Sequence, residues 1–162
     1  MSELDGLTAM LADLDDPVAV VTTASRDERS GCLVGFLTQC SIDPPRLMVF
    51  LSDKNRTYAT ALDAEALAVH FIDRDQTELA ELFGGATGDE VDKFSRCDWR
   101  EGPYGMPVLS DVRNWIVGQI TDRVIGGDHI GFLLRPVAVH RERPLEPLSF
   151  RDVDDIDPGH EP

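Results

Sequence analysis

Two stretches hold side chains whose types and spacing could do chemistry. In DKNRT, residues 53–57, Asn55 is placed to cap a helix starting at the next residue. The N–H groups of that first turn would then lie between Lys54 and Arg56, with the Thr57 hydroxyl beside them. Such an array attracts an anion, because the donors and the positive end of the helix point the same way. A ligand phosphate is the economical choice; a solvated basic pair beside a capped helix is the plainer one. The second stretch is GCLVGFLTQCSIDPPRLMVFL, residues 31–51. Read as one regular strand, 32–42 puts Cys32, Val34, Phe36, Thr38, Cys40 and Ile42 on a core face. Leu33, Gly35, Leu37, Gln39 and Ser41 take the other face. A missing side chain at Gly35 with polar groups at Gln39 and Ser41 suits a flat ring lying on the strand. A solvated sheet face with a bulge at Gly35 reads equally simply.

The other reactive residues point to less. His129 sits in GGDH between two strands, where an imidazole is commonly a surface group, and His70 inside AVHFI reads as a satisfied interior histidine. No Ser or Cys nucleophile with a base is legible. Cys32, Cys40 and Cys97 are odd in number, with no C-x-x-C pair and no cluster of His ligands, so they read as buried free thiols. No metal site is expected.

The elements that must position these residues follow from the hydrophobic pattern. Leu4, Leu7, Met10, Leu11 and Leu14 have helical spacing, and helices are also expected over 55–65 and from Asp75, a presumed N-cap with Glu78 three residues on. Strands are expected over 18–25, 46–52, 66–72, 112–124 and 130–142, the last two as a hairpin around IGGDH. Residues 84–107 read as a long glycine-rich loop with one helical turn around Val91 to Phe94. Many strands with few helices imply a mainly β fold, an antiparallel sheet closed into a barrel with peripheral helices.

Composition bounds the function. The 162 residues suit one domain, taken as 1–151, with an acidic tail over 152–162 expected to be disordered. Thirty acidic residues against fifteen Lys and Arg give a net charge of -15, which repels nucleic acid and anionic lipid. No apolar run approaches a membrane span, and MSELDGLTAML is acidic where a signal peptide is basic, so a cytoplasmic protein is expected.

The order of these pieces, a strand of small residues, Ser-x-x-Pro-Pro, an apolar strand, Lys-x-Arg-Thr at a helix start, FGG then DKF, GMPVL and GDH, resembles the flavin reductase-like, FMN-binding split-barrel family over about residues 16–140. The resemblance implies an antiparallel Greek-key split barrel and hydride transfer from NADH or NADPH to FMN, with FAD as the alternative flavin. It also implies a homodimer, and possible delivery of reduced flavin to a monooxygenase. A non-catalytic FMN-binding or electron-transfer protein of the same fold is the alternative. No catalytic side chain is implied, since ring alignment does the work. Position by position, the flavin contacts would be Gly35, Phe36, Gln39, Cys40, Ser41, Lys54, Asn55, Arg56, Thr57, Lys93 and Phe94, and His129 would position the nicotinamide. The chain departs from the family's polar flavin strand, keeping Ser41 but carrying Leu33, Gly35, Phe36 and Gln39. Near the C-terminus, Phe150 and Arg151 survive of the family's Phe-Arg-Gly type segment.

Overall fold

The computed structural model describes residues 2–85 and 91–157. Helix α1 (Glu3–Leu14) opens with a capping box in which the Ser2 hydroxyl accepts from the Asp5 N–H and the Asp5 carboxylate from the Ser2 N–H. None of its residues is buried, so its apolar stripe faces outward. Strands β1 (Ala19–Ser25) and β2 (Glu28–Val34) form a hairpin, and β3 (Leu37–Ser41) and β4 (Arg46–Ser52) form another across the Pro44-Pro45 corner. After α2 (Arg56–Ala61), β5 (Ala66–Phe71) and α3 (Thr77–Gly84) come the short β6 (Trp99–Glu101) and β7 (Pro107–Leu109). The long hairpin of β8 (Asn114–Ile125) and β9 (His129–Arg141) precedes a single turn of helix, α4 (Phe150–Val153).

Seven strands make one antiparallel sheet in the order β2-β1-β5-β8-β9-β4-β3. Its two edges, β2 and β3, are neighbours in the chain. Ala19 and Val21 of β1, Cys32 and Val34 of β2, Val49 and Leu51 of β4 and Phe132 of β9 share one core cluster, so the sheet is rolled until its ends meet. The hydrogen-bond ladder does not close there: β2 pairs only with β1, and β3 only with β4, whose ladder the Phe50 N–H extends by bonding to the Phe36 carbonyl. This is a split barrel. Val20 of β1, and Val18 just before the strand, face a second core made with Phe83 of α3, Phe94, Leu109 and Val153. Both faces of β1 are therefore covered, which explains its unbroken apolar run.

Several expectations are corrected. The stretch 32–42 is not one strand: the chain leaves β2 after Val34 and begins β3 at Leu37, crossing from one sheet edge to the other. The alternation therefore restarts. Cys32 and Val34 are buried as expected, but Phe36, Thr38, Cys40 and Ile42 are exposed, Ile42 at 84%. A register shift between Gln39 and Ser41 further disrupts this edge. Of the thiols only Cys32 is buried; Cys97 is half-buried and Cys40 exposed.

Asp75 does not cap α3. Its carboxylate is held by both terminal nitrogens of Arg113 at 2.9 Å, and Gln76 takes the N-cap position without a side-chain bond. The expected loop contains β6 and two 3-10 turns, Lys93–Ser95 and Pro103–Gly105, while residues 86–90 lie outside the described part. The tail expected from Asp152 starts inside α4, whose Val153 is buried in the second core; residues 158–162 lie outside the described part.

Candidate functional site

The place where the barrel fails to close is a pocket of about 180 Å³. Its walls are the end of β2 (Cys32, Leu33, Val34), the Gly35-Phe36 link, the end of β4 (Phe50, Leu51, Ser52), Asn55, His129 and Phe150. Each is positioned for a local reason. Gly35 and Phe36 carry the chain between sheet edges. Asn55 is fixed by its own capping bond, its side-chain oxygen accepting from the Thr57 N–H at 2.8 Å. His129 begins β9 directly opposite Ser52, because the GGD turn returns the chain to β4.

The pocket combines aromatic and polar walls. The Phe36 ring lies 4.9 Å from the imidazole of His129 and 6.0 Å from the ring of Phe150, centroid to centroid. His129 bonds through Nδ1 to the Asp128 carboxylate at 2.7 Å, and this partner holds the carboxyl below its ordinary range. The Ser52 hydroxyl accepts from the Lys54 N–H at 3.3 Å. Cys32 lines the pocket as a thiol, since burial pushes its pKa up to about 11 and leaves little thiolate to act as a nucleophile.

The residues singled out in the sequence fall into separate places. Gly35, Phe36, Asn55 and His129 come together in the pocket, with exposed Lys54 beside Asn55. Arg56, Lys93 and Phe94 line a different cleft of about 690 Å³, between the β1–β2 turn and α2, which also receives Arg26 and Arg29. There Arg56 pairs with Glu28 at 2.7 Å. Lys93 is buried, its ammonium donating to the Gly31 and Phe83 carbonyls at 3.0 Å each. Thr57 is fully buried with its hydroxyl 2.9 Å from that of Ser30, so it faces inward rather than toward an open helix end. Gln39, Cys40 and Ser41 share a shallow hollow at the outer edge with Ile42 and Asp43.

His70 is an interior residue. Its Nδ1–H donates to the Val20 carbonyl and its Nε2 accepts from the Leu109 N–H, each at 3.0 Å, while burial pushes its pKa down to about 4. Sequence reasoning missed Phe50, Ser52 and Phe150 as pocket walls. For Phe150 a signal was present, the Phe-Arg pair near the C-terminus.

The pocket's shape suits the edge of a flat ring more than a whole nucleotide, since it is smaller than the roughly 300 to 1,000 Å³ of ordinary ligand sites. Among the described residues no cluster of His, Cys, Asp and Glu could hold a metal. None of the described helices is long and apolar enough to cross a membrane.

Comparison with known proteins places the fold in a family. A family model described as "Flavin reductase like domain" matches residues 11–155. A probable flavin reductase of Rhizobium meliloti is 29% identical over 143 residues, covering 80% of this chain and 45% of that protein. The 4-hydroxyphenylacetate 3-monooxygenase reductase component of Salmonella typhimurium is 26% identical over 125 residues, covering 76% and 74%. Among solved structures, an FMN-binding protein from Thermus thermophilus with bound 1-cyclohex-2-enone superposes with a TM-score of 0.74 at 29% identity, covering 79% of this chain and 71% of that one. The chain thus spans about half the length of the Rhizobium relative.

Proposed function

The chain belongs to the flavin reductase-like domain family, and from that premise we propose that it is an NAD(P)H-dependent flavin oxidoreductase, reducing FMN, with FAD as the alternative flavin. The observation that carries the proposal is the pocket in the split of the barrel, which brings the rings of Phe36, Phe150 and His129 together with Ser52 and Asn55. A bound flavin would supply the two-electron chemistry and a nicotinamide the hydride, so the protein's task is alignment and exclusion of water.

The residues fit that task. Phe36 and Phe150 offer apolar surface to a ring, and Asn55 and His129 offer polar groups at its rim. Lys54, exposed beside the pocket, and Arg56, once it leaves its surface pair with Glu28, would meet a phosphate on the emerging tail. Gln39, Cys40, Ser41, Thr57, Lys93 and Phe94 would then act through neighbouring structure or at the rest of a larger ligand. His129 would position the nicotinamide, its imidazole held by Asp128.

A pocket this small needs a further wall. A homodimer with the flavin near the subunit boundary supplies one. The Salmonella relative's name, a monooxygenase reductase component, supports a role in passing reduced flavin to a partner monooxygenase. Residues 1–151 would act as one domain, in the cytoplasm. The likeness to an FMN-binding protein favours a second reading, in which flavin stays bound and no nicotinamide is oxidised.

Steady-state assay separates the two. The reductase reading expects NADH or NADPH oxidation that depends on added free flavin. Protein that purifies yellow and leaves both nicotinamides untouched supports the second reading and ends the first. Anaerobic titration with FMN, FAD and each nicotinamide then assigns the cofactors.

A further inference from the structure

Gly35 is open to the backbone, yet the space above it is already filled from within the chain. A Cβ built on Gly35 would lie 2.0 Å from Cζ of Phe150, and 2.5 and 2.7 Å from its two Cε atoms. No side chain other than hydrogen fits there while that ring stays. The ring is 39% exposed and looks into the pocket beside Phe36. A ligand ring therefore cannot lie flat on the Gly35 backbone; it meets Phe150 instead.

The backbone that carries Phe150 is pinned on several sides. Its N–H donates to the Asp16 carbonyl at 3.0 Å, and the Arg151 N–H donates to the Asp15 carboxylate at 2.9 Å. The Ser149 N–H and hydroxyl both donate to the Asp152 carboxylate, at 2.9 and 3.0 Å. Leu148 and Val153, on either side, are buried in the second core. These contacts fix the base from which the Phe150 ring faces the pocket.

We propose that Phe150, admitted by the glycine at position 35, is a specificity-determining residue of the pocket: an aromatic wall against which a planar heteroaromatic ring, flavin or nicotinamide, stacks. The proposal rests on the flavoprotein reading above. It explains how the site can dispense with polar side chains along the strand, because ring-on-ring contact favours any flat aromatic ligand of the right width.

The test is ligand binding by the full chain. FMN affinity and the shift of the flavin absorption bands are measured for wild type and for Phe150→Leu, Phe150→Ala and Phe150→Tyr, together with the KM for NADH under saturating FMN. Phe150→Leu keeps bulk but loses the ring, so FMN affinity or nicotinamide KM worsens roughly two- to tenfold, and Phe150→Tyr restores it. A change in FMN affinity assigns the wall to the flavin, and a change confined to KM assigns it to the nicotinamide.

Gly35→Ala must lower Tm in the Phe150 protein and much less in Phe150→Ala, if the two groups compete for one space. Equal Tm losses in both backgrounds overturn the packing claim. Leucine and alanine variants with wild-type affinity, bands and KM overturn the wall while leaving the flavin reading intact. Wild type that binds no flavin overturns that reading, and the wall with it.

Discussion

The two hollows of this protein, the aromatic pocket in the barrel's split and the arginine-lined cleft beside α2, differ in a way that neither size nor charge would suggest. The cleft is the larger, at about 690 Å³ against 180 Å³, and holds more cations. Yet most of its cations engage the protein itself: Lys93 is buried on two carbonyls, and Arg56 meets Glu28 in a half-exposed surface pair. Arg29 lies over the rings of Trp99 and Phe94. The pocket gathers fewer polar groups, but sets them around an aromatic wall reached from the surface. A concentration of charge can be scaffolding. A ligand site is better marked by side chains that converge on one space without consuming one another.

The largest expected effects fall on groups that serve structure. Lys93→Met should lower stability by about 2 to 4 kcal/mol, since two buried carbonyls lose their donor. Chemical denaturation measures this, and FMN affinity of the folded variant should stay within twofold. A large loss of affinity with unchanged stability would return Lys93 to the ligand and erase the contrast between the hollows.

Next is the pH dependence of stability. The folded-state pKa of His70, about 4, lies below its unfolded value near 6.5. The unfolded chain takes up the proton first, so the stability this residue contributes is fully present above pH 6.5 and is lost as pH falls toward 4. The loss should be about 3 kcal/mol, seen in denaturation curves across that range and flattened in His70→Asn.

A smaller effect tests the two exposed cations that flank Asn55 at the start of α2. Replacing both Lys54 and Arg56 by Ala should weaken FMN roughly tenfold, equivalent to about 1.4 kcal/mol, while phosphate-free riboflavin binds as before. Equal loss for both ligands would place the cations somewhere other than a phosphate. Smallest of all, His129→Asn should raise the KM for the nicotinamide roughly threefold, about 0.6 kcal/mol, without moving FMN affinity. A change in FMN affinity alone would transfer His129 from the nicotinamide to the flavin.

Much of this was written locally. The apolar run Arg46–Ser52, the capping role of Asn55 and the helical stripe Leu4 to Leu14 appear in the structure as their patterns predict, because each depends on neighbours within a turn or a strand. Where a distant partner intervenes, local patterns mislead. Asp75 has the spacing of a cap but is taken by Arg113 from the start of the long hairpin. Thr57 follows the cap yet turns inward to Ser30 of β2.

By itself the sequence determined the mainly β class, most of the strands and the family, since these rest on side-chain periodicity and residue order. Only the tertiary structure decided where the barrel splits, which histidine reaches the pocket and which stays interior, and that Phe150 fills the space over Gly35. Those outcomes depend on the rolling of a whole sheet, which brings β2, β4, the β8–β9 turn and α4 to one place. No short stretch of chain contains the energy of that closure, so none could reveal it.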